Sequence, residues 1–253
     1  MHVVEGIEQL RPKVGPIFVV VGVFDGMHLG HAYLLKHLVS ESERRGSQPA
    51  VITFDHHPDE ILKGNAPALL LDADERLERL AAAGVAVTVV QHFDAALRQT
   101  PYDVFVERIR AGTGLSGFLM TPDAAFGFER GGTPATLAAL GLRDGFEVVV
   151  IPPFKLDGRD VRSSVIRAAI VAGDLAGAAR LLGRPVTITG SLGGPADGWS
   201  PLNFPLPVAL PPDGDYPVRV DRSPLTLRIV DGDAYLLGEL ADRRITVALG
   251  SPG

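Results

Sequence analysis

Through the first two thirds of this chain, short apolar β-branched runs alternate with longer segments whose apolar residues recur at helical spacing, and few folds accommodate that alternation. Strand-like runs fall at 17–21, 50–54, 85–91, 117–121 and 147–151, with helical patterns at 31–45, 74–83, 102–111 and 133–142 between them. Strands that are apolar on both sides must be covered on both sides. The pattern therefore predicts an α/β domain, Rossmann-like, with a parallel sheet and helices on both faces. In such sheets ligands bind beyond the carboxyl ends of the strands. Two further helices are expected at 163–172 and 175–182, divided by Gly173-Asp174. From Arg184 onward proline and glycine become frequent, and strand-like runs appear at 186–192, 216–221, 225–230, 234–239 and 245–249. That texture reads as a small C-terminal all-β module, a barrel or a sandwich. Two domains are expected, residues 1–184 and 185–253.

Composition narrows the partners. With 253 residues and 46% hydrophobic content the chain can bury one good core and a second, smaller one. A net charge of −6 provides no basic field for nucleic acid, so any anion must be gathered locally. The absence of cysteine excludes disulfides, zinc–thiolate sites and a thiol nucleophile, and it fits a cytoplasmic protein. MHVVEGIEQLRP carries no basic segment followed by an apolar one, and no apolar run approaches the length of a membrane span. A soluble protein that meets neither nucleic acid nor membrane is expected; its oligomeric state is left open.

The residues with most chemical content lie at the end of the first predicted strand, in IFVVVGVFDGMHLGH, residues 17–31. A β-branched run ends at Gly22, a tight turn passes through Asp25 and Gly26, and His28 and His31 follow at the start of a helix. A strand that turns through glycines into a helix brings backbone N–H groups and the positive end of a dipole to one point, which suits phosphate. Two imidazoles three residues apart add donors there. Taken alone, two histidines at this spacing also fit a capped and packed helix start.

The motif as a whole is more specific. Gly22, Phe24, Asp25, Gly26, His28, Gly30 and His31 spell G-x-F-D-G-x-H-x-G-H, which resembles the adenylyltransferase domain of bacterial bifunctional riboflavin kinase/FAD synthetases, a branch of the H-x-G-H nucleotidyltransferase superfamily. TFDHHP, at 53–58, resembles that family's F-E-P-H-P: Phe54, His57 and Pro58 match, and Asp55 replaces Glu. By itself this segment fits a polar loop whose histidines face solvent. RSSVIR, at 162–167, resembles S-S-T-x-I-R through Ser163, Ser164, Ile166 and Arg167. Local chemistry alone also fits a serine cap and a solvated arginine. The likeness continues through Gly173-Asp174 and Leu181-Leu182-Gly183-Arg184-Pro185, so it covers about residues 15–190.

Two regions depart from the family pattern. DAAFG, at 123–127, stands where the family has D-F-R-F-G: Asp123, Phe126 and Gly127 match, but Ala124 and Ala125 replace an aromatic residue and an arginine. Loss of that forked donor bears on flavin affinity and identity, and Arg130 either substitutes for it or lies on the surface. In the β module, Leu206, Pro207 and Val208 occupy the positions of the T-A-N that serves metal and nucleotide in the family's kinase barrel. The remaining chain is too short for the rest of that barrel. The module is therefore expected to be a degenerate, truncated kinase remnant without kinase activity, acting as a lid, a stabilising element or an oligomerisation surface.

The resemblance implies an FMN adenylyltransferase using Mg²⁺ with ATP and taking FMN as acceptor. It implies catalytic roles for His28 and His31, and ATP binding by Gly22, Phe24, Asp25, Gly30, His57, Ser163, Ser164 and Arg167. Phe54, Pro58, Asp123, Phe126 and Gly127 would face the flavin, and no side chain is singled out as a direct metal ligand. Two other readings stay open: nucleotidyl transfer to a different phosphorylated acceptor, and binding of nucleotide or flavin without catalysis.

Overall fold

The computed structural model describes residues 1–221, 223–238 and 244–249. By its internal contacts the chain divides into two compact units. The first comprises Met1–Phe24, Gly30–Pro67 and Leu77–Phe154; the second comprises Asp25–Leu29, Ala68–Arg76 and Lys155–Gly253.

In chain order the elements are β1 (His2–Glu5), β2 (Ile17–Val21), α1 (Leu29–Arg44), β3 (Gln48–Phe54), α2 (Pro58–Lys63), α3 (Ala73–Ala82), β4 (Val87–Gln91), α4 (Ala95–Arg98), α5 (Tyr102–Gly112), β5 (Leu115–Met120), α6 (Pro134–Asp144) and β6 (Glu147–Val150). These are followed by β7 (Lys155–Leu156), β8 (Arg159–Asp160), α7 (Ser163–Val171), α8 (Leu175–Leu182), β9 (Val186–Leu192), β10 (Trp199–Asn203), β11 (Gly214–Val220), β12 (Ser223–Val230), β13 (Asp233–Leu237) and β14 (Arg244–Leu249).

The first unit holds a six-stranded sheet in the order β1-β4-β3-β2-β5-β6, every pairing parallel. Successive strand residues point to opposite faces, and in β2 both Phe18 and Val19 are fully buried, so both faces are covered. On one face Ile17, Val19, Ile52 and Val89 pack with Phe105 and Ile109 of α5 and Leu137 of α6. On the other, the Arg45 guanidinium that follows α1 lies 4.6 Å above the Phe18 ring. Local chemistry sets the boundaries: Thr133 caps α6 in a capping box with Thr136, Pro134 takes the first helical position, and Gly145 closes α6 in the left-handed region.

The second unit holds the β7–β8 hairpin, α7, α8 and a closed antiparallel barrel in the order β10-β13-β12-β11-β14-β9, completed by pairing of β9 with β10. Alternating burial along β14 and the buried Ile188, Val218, Leu227, Leu236 and Val247 mark the barrel interior. Residues 207–209 are tied by main-chain bonds to Leu69, whose N–H donates to Pro207 O at 2.8 Å and whose carbonyl accepts from Ala209 N at 2.8 Å.

The sequence reading placed a strand over 234–239; β13 ends at Leu237 and Glu239 lies outside the described residues. Of the two all-β architectures left open, the barrel is the one formed. β1 and β10 were not foreseen, for reasons taken up below.

Candidate functional site

Within the barrel-bearing unit, the turn that carries His28 is organised around Asp25. Its carboxylate is only 4% exposed, and Oδ2 accepts from Arg167 Nη2 at 2.8 Å while Oδ1 accepts from Leu70 N at 2.9 Å. The Asp25 carbonyl accepts from Ser163 Oγ at 2.8 Å. Arg167 Nε donates to Ala68 O at 2.6 Å, and Arg184 Nη2 donates to Gly26 O at 3.0 Å. A guanidinium has five N–H donors, so these bonds fix the plane of Arg167 without exhausting it. Ser163 is therefore no helix cap: the cap position belongs to Arg162, which makes no side-chain cap bond, and the Ser163 hydroxyl holds the turn instead. Ser164, the next residue of α7, is exposed.

The backbone of the turn is held in sparsely populated conformations. Gly26 has φ +83°, and a Cβ there would lie 2.9 Å from Leu70 Cδ1, so glycine is required both by conformation and by space. Phe24 and Met27 have φ of 56° and 39°, a conformation that non-glycine residues keep only when their surroundings impose it. His28 immediately precedes α1 and is buried. Burial lowers its pKa, and the nearby positive charge of Arg184 lowers it further, to about 4. At neutral pH it is an uncharged imidazole with one N–H to donate and one lone pair to accept.

In the sheet-bearing unit, Gly22 N–H donates to Ile52 O at 3.0 Å, and Thr53 Oγ1 donates to the Val23 carbonyl at 3.0 Å. Both bonds fasten the departure from β2 to the adjacent strand. The buried Phe24 ring lies 5.0 Å from the ring of His31, which with Gly30 occupies the first turn of α1. Phe54 ends β3 and meets Phe93 edge-on at 5.4 Å. His57 caps α2: its Nδ1 accepts from Asp59 N at 3.1 Å, with Pro58 at the first helical position. An accepting Nδ1 leaves the proton of the neutral ring on Nε2, so His57 presents a donor on that side.

The DAAFG loop is built differently. Phe126 packs between Phe118 and Phe105, with ring centroids at 5.6 and 5.5 Å, and so takes part in the core. Gly127 has φ +77° and passes so close to Tyr102 that a Cβ would stand 2.7 Å from its backbone. Asp123 accepts from Thr121 Oγ1 at 2.9 Å, and its carbonyl accepts from Arg130 Nη2 at 3.0 Å. Arg130 thus closes the loop on itself. Sequence reasoning gave Arg184 no role beyond its place in the L-L-G-R-P likeness. No local pattern announces that an arginine after a helix-ending glycine will reach back to residue 26.

A parallel sheet whose second strand runs through a strained turn into H-x-G-H defines a protein of the H-x-G-H nucleotidyltransferase class. More narrowly, the chain belongs to the FAD synthetase family, whose model matches residues 11–165. It is 34% identical over 192 residues to the bifunctional riboflavin kinase/FMN adenylyltransferase of Haemophilus influenzae, covering 75% of this chain and 62% of that protein. To the protein of the same description from Escherichia coli (strain K12) it is 31% identical over 234 residues, covering 87% and 73%. A crystal structure from Streptococcus pneumoniae, described as a macrolide-efflux protein, shares the fold with a TM-score of 0.79 at 20% identity, over 98% of this chain and 88% of that one. The chain spans 62% and 61% of the length of the first two curated relatives it matches, from Haemophilus influenzae and Pseudomonas fluorescens. No helix among the described residues is long and apolar enough to cross a membrane.

Proposed function

We propose that the chain is an FMN adenylyltransferase, transferring AMP from ATP, bound as its magnesium complex, to the phosphate of FMN with release of pyrophosphate. The observation that carries this reading is the turn of residues 22–31, which keeps every residue of the family motif and is held by a buried Asp25–Arg167 ion pair. An FMN phosphate oxygen attacks the α-phosphorus of ATP; the new O–P bond forms as the bond to the β-phosphate oxygen breaks. The phosphate nucleophile is already ionised near neutral pH and needs no general base. The obstacle is the meeting of two polyanions, and preorganised donors supply most of the catalysis. His28 and His31 serve the α-phosphate and the leaving oxygen. His28 does so as a neutral donor, which avoids the cost of a buried charge when no substrate is present. Ser164, Arg167 and the start of α7 hold the remaining phosphates, and the motif resemblance adds His57 to the nucleotide-binding residues.

Residues 1–184 form the transferase domain in this reading, and 185–253 a module without kinase activity. Of residues 206–208, at the positions that serve metal and nucleotide in the family's kinase, Pro207 is engaged through its carbonyl, which accepts from Leu69 N. A cytoplasmic location follows from the substrates. A second reading, transfer to a different phosphorylated acceptor, is favoured by Ala124 and Ala125 together with the packing of Phe126 into the core.

Incubation with MgATP and FMN, followed by chromatographic separation of flavins and assay of pyrophosphate, tests both. FAD and pyrophosphate in equal amounts are expected, and riboflavin in place of FMN yields neither. FAD from riboflavin refutes the loss of kinase activity, and pyrophosphate release only with another phosphorylated acceptor moves the function to the second reading. His31→Ala reduces turnover at least about a hundredfold with an unchanged melting transition; near-normal turnover removes His31 from the mechanism.

A further inference from the structure

Adjacent parallel strands β3 and β4 pair Phe54 with Gln91, so the first residues beyond the two strand ends come side by side. Those residues are Asp55 and His92, and His56 follows Asp55 in the chain. The Asp55 N–H donates to Gln91 O at 3.2 Å, and its Oδ1 accepts from the backbone N–H groups of His56 at 2.7 Å and Phe93 at 3.2 Å. The carboxylate is therefore oriented by the main chain before any ligand arrives. His92 Nδ1 lies 2.5 Å from Asp55 Oδ2, and His56 Nδ1 lies 3.3 Å from Asp55 Oδ1. One ligand-capable atom from each of the three residues lies within 4.8 Å of the other two.

We propose that Asp55, His56 and His92 bind a borderline divalent cation of the Zn²⁺, Co²⁺ or Ni²⁺ kind at the carboxyl edge of the sheet. Two imidazoles and one carboxylate form a mixed nitrogen and oxygen donor set. Mg²⁺ and Ca²⁺ favour all-oxygen sets, whereas imidazole suits the later transition metals and zinc. A tetrahedral ion with bonds of about 2.1 Å separates its ligand atoms by about 3.4 Å. The histidine side chains are 44% and 65% exposed, so modest ring rotations reach that spacing without disturbing the core. Ordering is confined to the two rings, because the carboxylate is already fixed. Three protein ligands leave a further position for water or a small anion, so the site is of the open kind. Two of the ligands, Asp55 and His56, sit where TFDHHP departs from F-E-P-H-P. The proposal does not depend on the adenylyl-transfer reading.

The test uses the full chain stripped with chelator and dialysed, titrated with Co²⁺ and followed by its visible d–d absorption and by calorimetry. Saturation at one Co²⁺ per chain is expected, with displacement by equimolar Zn²⁺ and no competition from millimolar Mg²⁺. His92→Gln and His56→Asn each weaken binding at least about tenfold, and His2→Gln does not. Zn²⁺ raises the melting temperature of the parent more than that of either variant. Should one variant fail to fold in chelator, the other decides. An absent d–d band, or variants that bind Co²⁺ as the parent does, reduces the cluster to a hydrogen-bonded Asp55–His92 pair and overturns the proposal.

Discussion

Two loops leave the carboxyl ends of neighbouring strands, and they are held in opposite ways. The turn after β2 is fixed by polar groups: the buried Asp25 carboxylate meets Arg167 and Leu70 N, and its carbonyl meets Ser163. The loop after β5 is fixed by packing: Phe126 sits among Phe105 and Phe118, and paired main-chain bonds join Phe126 to Gly132. The first arrangement keeps donors and charge beside the histidine motif. The second leaves a self-contained loop in which Phe126 is packed, Ala124 and Ala125 are half-buried, and the charged Asp123, Glu129 and Arg130 are exposed. The difference teaches that one strand-end loop is set by charge and hydrogen bonds and the other by ring packing, so the two should answer differently to loss of an ion pair and loss of a ring.

The sharpest way to break this comparison is to remove the ionic centre of the first loop. Asp25→Ala leaves Arg167 without its buried carboxylate and Leu70 N without its acceptor, and is expected to cost about 3–5 kcal/mol in urea unfolding. A loss below about 1 kcal/mol shows that the turn is held by something else. The next effect is in pH. His28 has a folded pKa of about 4 against an unfolded value near 6.5, so the folded state binds fewer protons. Its contribution is fully present above pH 6.5 and is lost as pH falls through the folded pKa, on the order of 3 kcal/mol in all. Arg184→Gln removes one of the two causes, raises the His28 pKa and narrows that window; imidazole NMR titration reads it directly.

Effects in the second loop are smaller and of another kind. Phe126→Ala removes half-buried aromatic packing and is expected to cost about 2 kcal/mol, below the range for fully buried phenylalanine. Calorimetric melting checks it, and a change above that of Asp25→Ala inverts the comparison. Arg130→Ala, which loses only an exposed bond to the Asp123 carbonyl, shifts stability by less than about 0.5 kcal/mol.

Legibility in the sequence followed the strength of local signals. β2 coincides with its predicted range because five consecutive apolar residues, four of them β-branched, have no competing periodicity. β1 is a four-residue edge strand with one buried residue, too short to show a pattern. β10 carries Pro201 at its centre, a residue that argues against a strand because it cannot donate to the ladder. α2 buries no residue and exists through its His57 cap, so hydrophobic spacing could not reveal it. Among the candidate residues, His28, His31 and Arg167 were legible as a motif. Phe126 and Gly127 were read as flavin-facing, and the structure gives both a packing role that residue type alone does not disclose.

The sequence by itself determined the parallel α/β sheet, the all-β module and the glycine turn into H-x-G-H, because period, β-branching and turn chemistry act over a few residues. Only the tertiary structure decided which groups meet. Arg167 reaches Asp25 across 142 positions and Arg184 reaches Gly26 across 158, while Asp55 meets His92 through the register of two strands. Burial and those meetings give His28 its neutral imidazole and Asp55 its two histidines. Charge and desolvation depend on distance in space, and that distance is set only once the chain has folded.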